Sequence, residues 1–579
     1  MIKTLAKEIK EYKSAAMLTP VFMILEVIME TIIPVMMASI IDGGVEKGDM
    51  THIYKMGALM VLTALLSLTF GSLGAVYASK ASTGFAKNLR KAMYDNIQTF
   101  SFANIDKFST SSLVTRLTTD VTNMQNAFQM LLRMAMRAPF TLLFAMIMSF
   151  SINARLASIY LAAIVLLGCC IAFIISRATR YFKQVFEKYD ALNESVQENV
   201  SAIREVKSFV REEYETDKFH RASKNIRDMF VRAEMNMNVM PPLMMLTVYS
   251  CIILISWIGA KMIVTDLLTT GQLLSLLTYC MNILMNLMML SMIFVMLTMS
   301  QASAKRICEV IDEESSMKNP ENPVMQVEDG SISFEGVSFK YYESAEKPVL
   351  QDINIEIKAG ETIGIIGGTG SAKTSLVNLI SRLYDVSEGC VRVGGRDVRE
   401  YDLSVLRDEV SVVLQKNVLF SGTVLENLRW GKEDAGYEEC RRACEMACAD
   451  EFIDRLPEGL DSRVEQGGSN FSGGQRQRLC IARALVKKPK VLILDDSTSA
   501  VDTATDAKIR KAFAEQIPGT TKLIIAQRIS SVMDADHIIV MEDGRIDGYG
   551  SHQELLANNE IYREVYESQT GGNKDFDEV

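Results

Sequence analysis

From residue 362 the chain reads Thr362-Ile363-Gly364-Ile365-Ile366, then Gly367-Gly368-Thr369-Gly370-Ser371-Ala372-Lys373-Thr374-Ser375, then Leu376-Val377-Asn378-Leu379-Ile380. The first stretch predicts a buried strand and the last an apolar helix. A glycine-rich loop between strand and helix is a phosphate-binding loop in the context it requires. Its glycines let backbone N–H groups face phosphate oxygens, and the helix N-terminus adds the positive end of a dipole. Lys373 can reach terminal phosphates, and the Thr374 hydroxyl suits Mg²⁺. Ala372 stands where such loops usually carry glycine. It adds only a methyl, so nucleotide binding should survive, with mild strain if φ is positive there. A second apolar strand, Val491-Leu492-Ile493-Leu494, ends in Asp495 and Asp496, and places Asp495 to hold Mg²⁺ directly or through water.

A chain of 579 residues is too long for one core. Its two parts differ in composition: residues up to about 300 carry long apolar runs, and the rest reads as a soluble α/β domain. A bilayer core needs roughly 20 apolar residues as helix. Such runs fall near 16–40, 56–79, 130–151, 156–177, 242–264 and 272–298, with Pro241-Pro242 opening the fifth where proline suits a first turn. The connection near 41–54 is acidic, whereas those at 80–129 and 178–240 are rich in Lys and Arg. Both long connections and both termini are therefore expected on the cytoplasmic side. Their helical periodicity predicts that the helices continue well below the membrane. The N-terminal segment lacks the apolar stretch and cleavage site of a secretory signal.

Four ionisable residues lie in or beside the apolar runs: Glu26 and Glu30, Arg133 and Arg137, each pair one helical turn apart. Charge in hydrocarbon is costly, so they should face a wet cavity or each other. Structural pairing or snorkelling is one reading; lining a substrate cavity is the other. Met281, Met285, Met288, Met289 and Met292 could form an adaptable binding surface, or simply pack and face lipid. Cys440, Cys444 and Cys448 share a helix face, which cannot wrap zinc and reads as packing. The ten cysteines give no disulfide framework, and the net charge of -10 argues against a nucleic-acid partner.

Asn319-Pro320-Glu321-Asn322-Pro323 reads as a linker, which gives a membrane domain at 1–318, a linker at 319–325, a nucleotide-binding domain at 326–568 and a polar tail at 569–579. Between the phosphate loop and the acid-ending strand lies Asn470-Phe471-Ser472-Gly473-Gly474-Gln475-Arg476-Gln477-Arg478. With this motif the chain resembles, over nearly its whole length, the ATP-binding cassette (ABC) transporter family, whose signature these residues match. The resemblance makes Val412-Val413-Leu414-Gln415 the glutamine loop, with Gln415 near the metal, Ser499-Ala500-Val501-Asp502 the D-loop, and Tyr341 the aromatic that stacks on adenine. It implies a six-helix all-α transmembrane domain fused to an α/β P-loop domain, an exporter-type half-transporter with ATP and Mg²⁺ as cofactors. Segments 108–121 and 191–211 resemble its cytoplasmic coupling regions. In this family two nucleotide domains meet head to tail, each ATP lying between one P-loop and the other domain's signature.

Two positions depart from the family pattern. Asp496 stands where a glutamate polarises the attacking water, and Gln527, in Ile524-Ile525-Ala526-Gln527-Arg528, stands at the switch histidine. A carboxylate drawn back by over ~1 Å can cost roughly 100-fold, and glutamine cannot carry imidazolium charge. Both fall on the site built by this chain's own P-loop, while Ser472-Gly473-Gly474-Gln475, which serves the opposite site, is intact. The expectation is an asymmetric heterodimer resembling bacterial multidrug exporters, with a homodimer of two slow sites as the alternative. The expected cargo is an amphipathic drug, lipid or peptide, and the expected location a bacterial plasma membrane. A gated channel would need an added regulatory segment, none of which is evident, and the spans exclude a soluble cassette ATPase.

Overall fold

The computed structural model describes residues 1–343, 345–496 and 501–570. It forms two compact units, Met1–Gln98 with Ser109–Glu313, and Thr99–Phe108 with Glu314–Val579.

The first unit is helical. Its six principal helices are Lys13–Ser39, Met50–Thr99, Val121–Ile152, Ala154–Ser201, Met240–Val264 and Thr270–Ile311. Among the described residues six segments are long and apolar enough to cross a membrane, and only 17–39% of each apolar window is buried within the chain. Leu62, Leu65, Leu68, Val165, Leu166, Ile253 and Trp257 stand exposed along them. Such faces are stable against lipid, where helices satisfy their own backbone. The tight turn between third and fourth helices follows from Asn153, whose side chain accepts from the amides of Arg155 and Leu156, both at 3.1 Å. Proline lies in the first turn of the fifth helix, as expected. Around Pro34 of the first helix, Tyr279 and Ser275 of the sixth donate to the carbonyls of Thr31 and Pro34, at 2.5 and 2.6 Å.

The helices do run far beyond the apolar windows. The second has 50 residues, about 75 Å at 1.5 Å per residue, against a hydrocarbon core of about 30 Å. Of the expected coupling segments, Ser109–Asp120 is a helical stretch leading into the third helix, and 191–211 runs from the end of the fourth helix through the short helix Ile203–Ser208; both lie in the first unit. Thr99–Phe108, ahead of the first segment, instead belongs to the second unit. There Phe102 meets Tyr384 edge-on at 6.0 Å, and the Tyr384 hydroxyl donates to Asp106 at 2.6 Å.

The second unit is built on a six-stranded sheet, ordered Arg545–Gly550, His537–Glu542, Thr362–Gly367, Thr521–Ile525, Val491–Asp495, Val410–Val413. All neighbours are parallel except the first pair. The central strands are nearly continuous Ile, Leu and Val because both faces are buried. An antiparallel sheet of Leu350–Ile357, Ile332–Phe339, Glu388–Val393 and Arg396–Asp397 sits beside it. The segment expected to be a linker is docked in this unit. Asn319 accepts from the Leu403 amide at 3.0 Å, and Val324 bridges to Tyr401. Cys440, Cys444, Cys448 and Cys480 are buried in one apolar cluster, and among the described residues no group of His, Cys, Asp and Glu could hold a metal ion.

Candidate nucleotide site

Strand order explains why distant motifs meet. Thr362–Gly367 and Val491–Asp495 flank Thr521–Ile525, all parallel, so the P-loop, the acid pair and Gln527 leave the sheet at one edge. Ligands of open parallel sheets bind beyond the carboxyl ends of the strands. A Cβ on Gly367 would come within 2.2 Å of the Met541 carbonyl, so close strand packing demands glycine there. Gly368 and Gly370 have open space on that side, with Gly370 at φ +88°. Ala372 lies at φ +70°, so the strain expected of an alanine there is present. The helix Lys373–Ile380 follows at once, and its first amides have no intrahelical acceptor.

The Lys373 ammonium donates to the carbonyls of Gly367 and Gly368 at 2.8 and 2.7 Å and to the Ser371 hydroxyl at 3.2 Å. Burial pushes it below the usual lysine range, opposed by the charges of Asp495 and Asp496. Asp495, 3% exposed, accepts from the Thr374 hydroxyl at 2.9 Å. Burial pushes its carboxyl above the usual range, against the Thr374 bond, while Asp496 adds to the rise and Lys373 opposes it. Each group is thus short of countercharge, Lys373 of an anion and Asp495 of a cation. Phosphate and Mg²⁺ fit that demand.

The two departing positions touch. Gln527 donates its amide to the Asp496 carboxylate at 2.8 Å, and Asp496 is held at φ +47°. Gln477, inside the signature helix, donates to the Asp496 carbonyl at 3.2 Å. Sequence reasoning passed over Gln477 as an ordinary member of its motif; its 2% exposure on a polar helix is the mark of a structural contact. Nearby, the Tyr341 hydroxyl and Ser375 hydroxyl lie 2.8 Å apart, and Tyr341 packs edge-on against Phe339 and Tyr384. Gln415 is exposed just past the edge strand Val410–Val413, and Thr369 lies within the open loop.

Ser472 caps the helix Gly473–Val486 in a reciprocal capping box: its hydroxyl accepts from the Gln475 amide at 3.3 Å, while its own amide donates to the Gln475 side chain at 2.9 Å. Phe471 is buried beneath, 5% exposed, leaving Ser472 and Gly473 on the surface. Asp502 caps the helix Thr503–Gln516 through the Thr505 amide at 2.9 Å. That hydrogen bond holds its carboxyl below the usual range. Ser499 and Ala500 of the expected D-loop lie outside the described residues.

In the helical unit Arg137 joins both acids, bonding Glu26 at 3.1 Å and Glu30 at 2.8 and 2.7 Å. Arg133, one turn away, makes no such pair among the described residues. Gly71 of the second helix faces Glu26, where a Cβ would meet a carboxylate oxygen at 2.8 Å.

A P-loop domain joined to six membrane-spanning helices defines a membrane protein powered by a nucleotide. Models of two families match, the ABC transporter transmembrane region over residues 17–304 and the ABC transporter over residues 350–499. The chain is 36% identical over 563 residues to the ABC transporter ATP-binding protein YfiB of Bacillus subtilis, covering 97% of this chain and 98% of that protein. It is 32% identical over 518 residues to YknU of the same organism, covering 88% and 87%. It is 30% identical over 518 residues to the ATP-dependent lipid A-core flippase of Desulfotalea psychrophila, covering 88% and 90%. The chain belongs to the ABC transporter family. It is an exporter-type half-transporter: a multi-pass membrane protein that binds ATP, dimerises in the bilayer and couples ATPase activity to transport.

Proposed function

We propose that this chain is the unequal half of a heterodimeric exporter, moving amphipathic substrates out across the cell membrane by alternating access with both termini in the cytoplasm. The observation that carries the inequality is the Asp496–Gln527 hydrogen bond beside the P-loop, set against an intact Ser472-Gly473-Gly474-Gln475. ATP would rest on the amides of Gly368–Ser375 and Lys373, with its base against Tyr341. Thr374, Asp495 and Gln415 would hold Mg²⁺, which when bound neutralises phosphate charge. In this site Asp496 is too short to polarise water, and its carboxylate is engaged by the residue at the switch position. Fast hydrolysis belongs to the other composite site, where Ser472, Gly473 and Gly474 close on the partner's ATP. Closure with ATP and release after hydrolysis bias the helices between inward- and outward-facing states. The relative that is a lipid A-core flippase supports an amphipathic, lipid-like cargo.

Expression without a partner tests this. The purified chain should bind MgATP yet hydrolyse it slowly, and should become part of a fast ATPase when a second half-transporter with glutamate and histidine at those positions is co-expressed. Fast hydrolysis by the chain alone would sink the heterodimer reading.

A further inference from the structure

Glu26, Glu30, Arg133 and Arg137 sum to zero charge, yet they are not paired two by two. Arg137 spans both carboxylates. Each carboxylate can accept about four hydrogen bonds, so both keep lone pairs free. Glu30 is the more open, with 39% of its side chain accessible against 12% for Glu26. Arg133 has no ion pair or hydrogen bond among the described residues, and its Nε is buried without a partner. It stands one helical turn from Arg137 on the same face of the third helix. The cluster therefore offers one spare cation and one accessible carboxylate.

Its depth is readable from helix geometry. Arg137 and Arg133 precede the end of the third helix at Ile152, and Glu30 and Glu26 precede Val45, by matching distances of about 22 and 28 Å at 1.5 Å per residue. Against a hydrocarbon core of about 30 Å, and with Glu26 and Glu30 inside the 16–40 apolar run, the charges lie within the membrane-spanning depth, Arg133 and Arg137 toward the end from which the long helices extend.

The geometry points to a headgroup site for a zwitterionic amphiphile, with Arg133 taking the anionic group and Glu30 the ammonium while the tail stays in hydrocarbon. The charge balance selects this class. A monoanion on Arg133 would leave the site at net −1, and a monocation on Glu30 would leave it at net +1. Unbalanced charge at a partly buried site is costly, and a dipolar headgroup adds none. This names the substrate class and rests on the exporter reading above.

The test is equilibrium binding to the purified complex in uncharged detergent, without ATP, of three probes sharing one tail: dodecylphosphocholine, dodecyl phosphate and dodecyltrimethylammonium. The wild type should prefer the zwitterion. Arg133→Gln should shift the anion-to-cation preference toward the cation by on the order of tenfold, and Glu30→Gln toward the anion by a similar factor. Arg133→Lys should keep the wild-type order, which separates lost charge from lost folding. Equal weakening of all three probes by both neutral variants, or a wild type that favours dodecyl phosphate, overturns the proposal. ATP-driven export, assayed separately in proteoliposomes, bears on the exporter reading: export without charge preference removes this inference alone, and charge preference without export removes that reading alone.

Discussion

Asp496 and Gln527 are bonded to each other, so neither can be restored alone. Glutamate at 496 would meet a glutamine that cannot act as the switch histidine, and its longer chain must fit φ +47°, which aspartate tolerates better than most residues. In the chain expressed alone, Asp496→Glu with Gln527→His should raise ATPase turnover by at least about tenfold, within the roughly 100-fold that ~1 Å of misplacement costs. Either single change should give a smaller gain. Turnover in the double variant no higher than in the singles would contradict the pairing. Lys373→Ala should weaken azido-ATP photolabelling of this chain by roughly 10- to 100-fold, as loss of a charged hydrogen bond predicts. Unchanged labelling would contradict the placement of the nucleotide. The loop, acid pair and signature were legible in sequence because each is a short local pattern. The Asp496–Gln527 bond was not, since it joins the ends of two strands that only the sheet order makes neighbours.

Helices and strands carry their own record of what sequence can reveal. Six membrane spans followed from the length of the apolar runs, the opening of the fifth helix from Pro241-Pro242, and the continuations past the membrane from helical periodicity. The grouping of Thr99–Phe108 with the second unit did not, because it depends on Phe102 and Asp106 meeting Tyr384. Cys440 and Cys444 do pack from one helix, Tyr437–Met446, but Cys448 lies past its end at φ +52° and joins the same buried cluster from the following turn, so spacing alone misplaced it. Burial pushes the thiols of Cys440, Cys444, Cys448 and Cys480 up from the usual range, so little thiolate exists near neutral pH. Maleimide at pH 7.5, followed by peptide mass spectrometry, should modify these four only after denaturation; labelling in the native protein would show that this buried cluster is open. Spacing also placed Glu26 and Glu30 on one face, but could not tell that Arg137 takes both. Gly71→Val should press on Glu26 and lower the yield of folded protein, at an overpacking cost of about 1–3 kcal/mol. A folded yield equal to wild type would show that the first two helices can part there.

At the scale of the whole transporter, the proposed reading has one chain contribute to two ATP sites through different motifs, and the central claim is that these contributions are unequal. Sequence alone could propose this because the damage is sorted: Asp496 and Gln527 depart, while Ser472 and Gln475 do not. It could not supply the folded reason, which is that both departures share one sheet edge with Lys373 and Asp495, whereas Ser472 opens a separate helix on an exposed surface. Removing a hydrogen-bond donor that acts on a transferring phosphoryl group costs about 3–4 kcal/mol. Removing a carboxylate already out of reach costs little. The decisive measurement is steady-state ATPase of the purified pair carrying Ser472→Ala or Asp496→Asn in this chain. Ser472→Ala should lower the rate by roughly 100-fold or more while Asp496→Asn leaves most of it; an Asp496→Asn complex as inactive as Ser472→Ala would contradict the account.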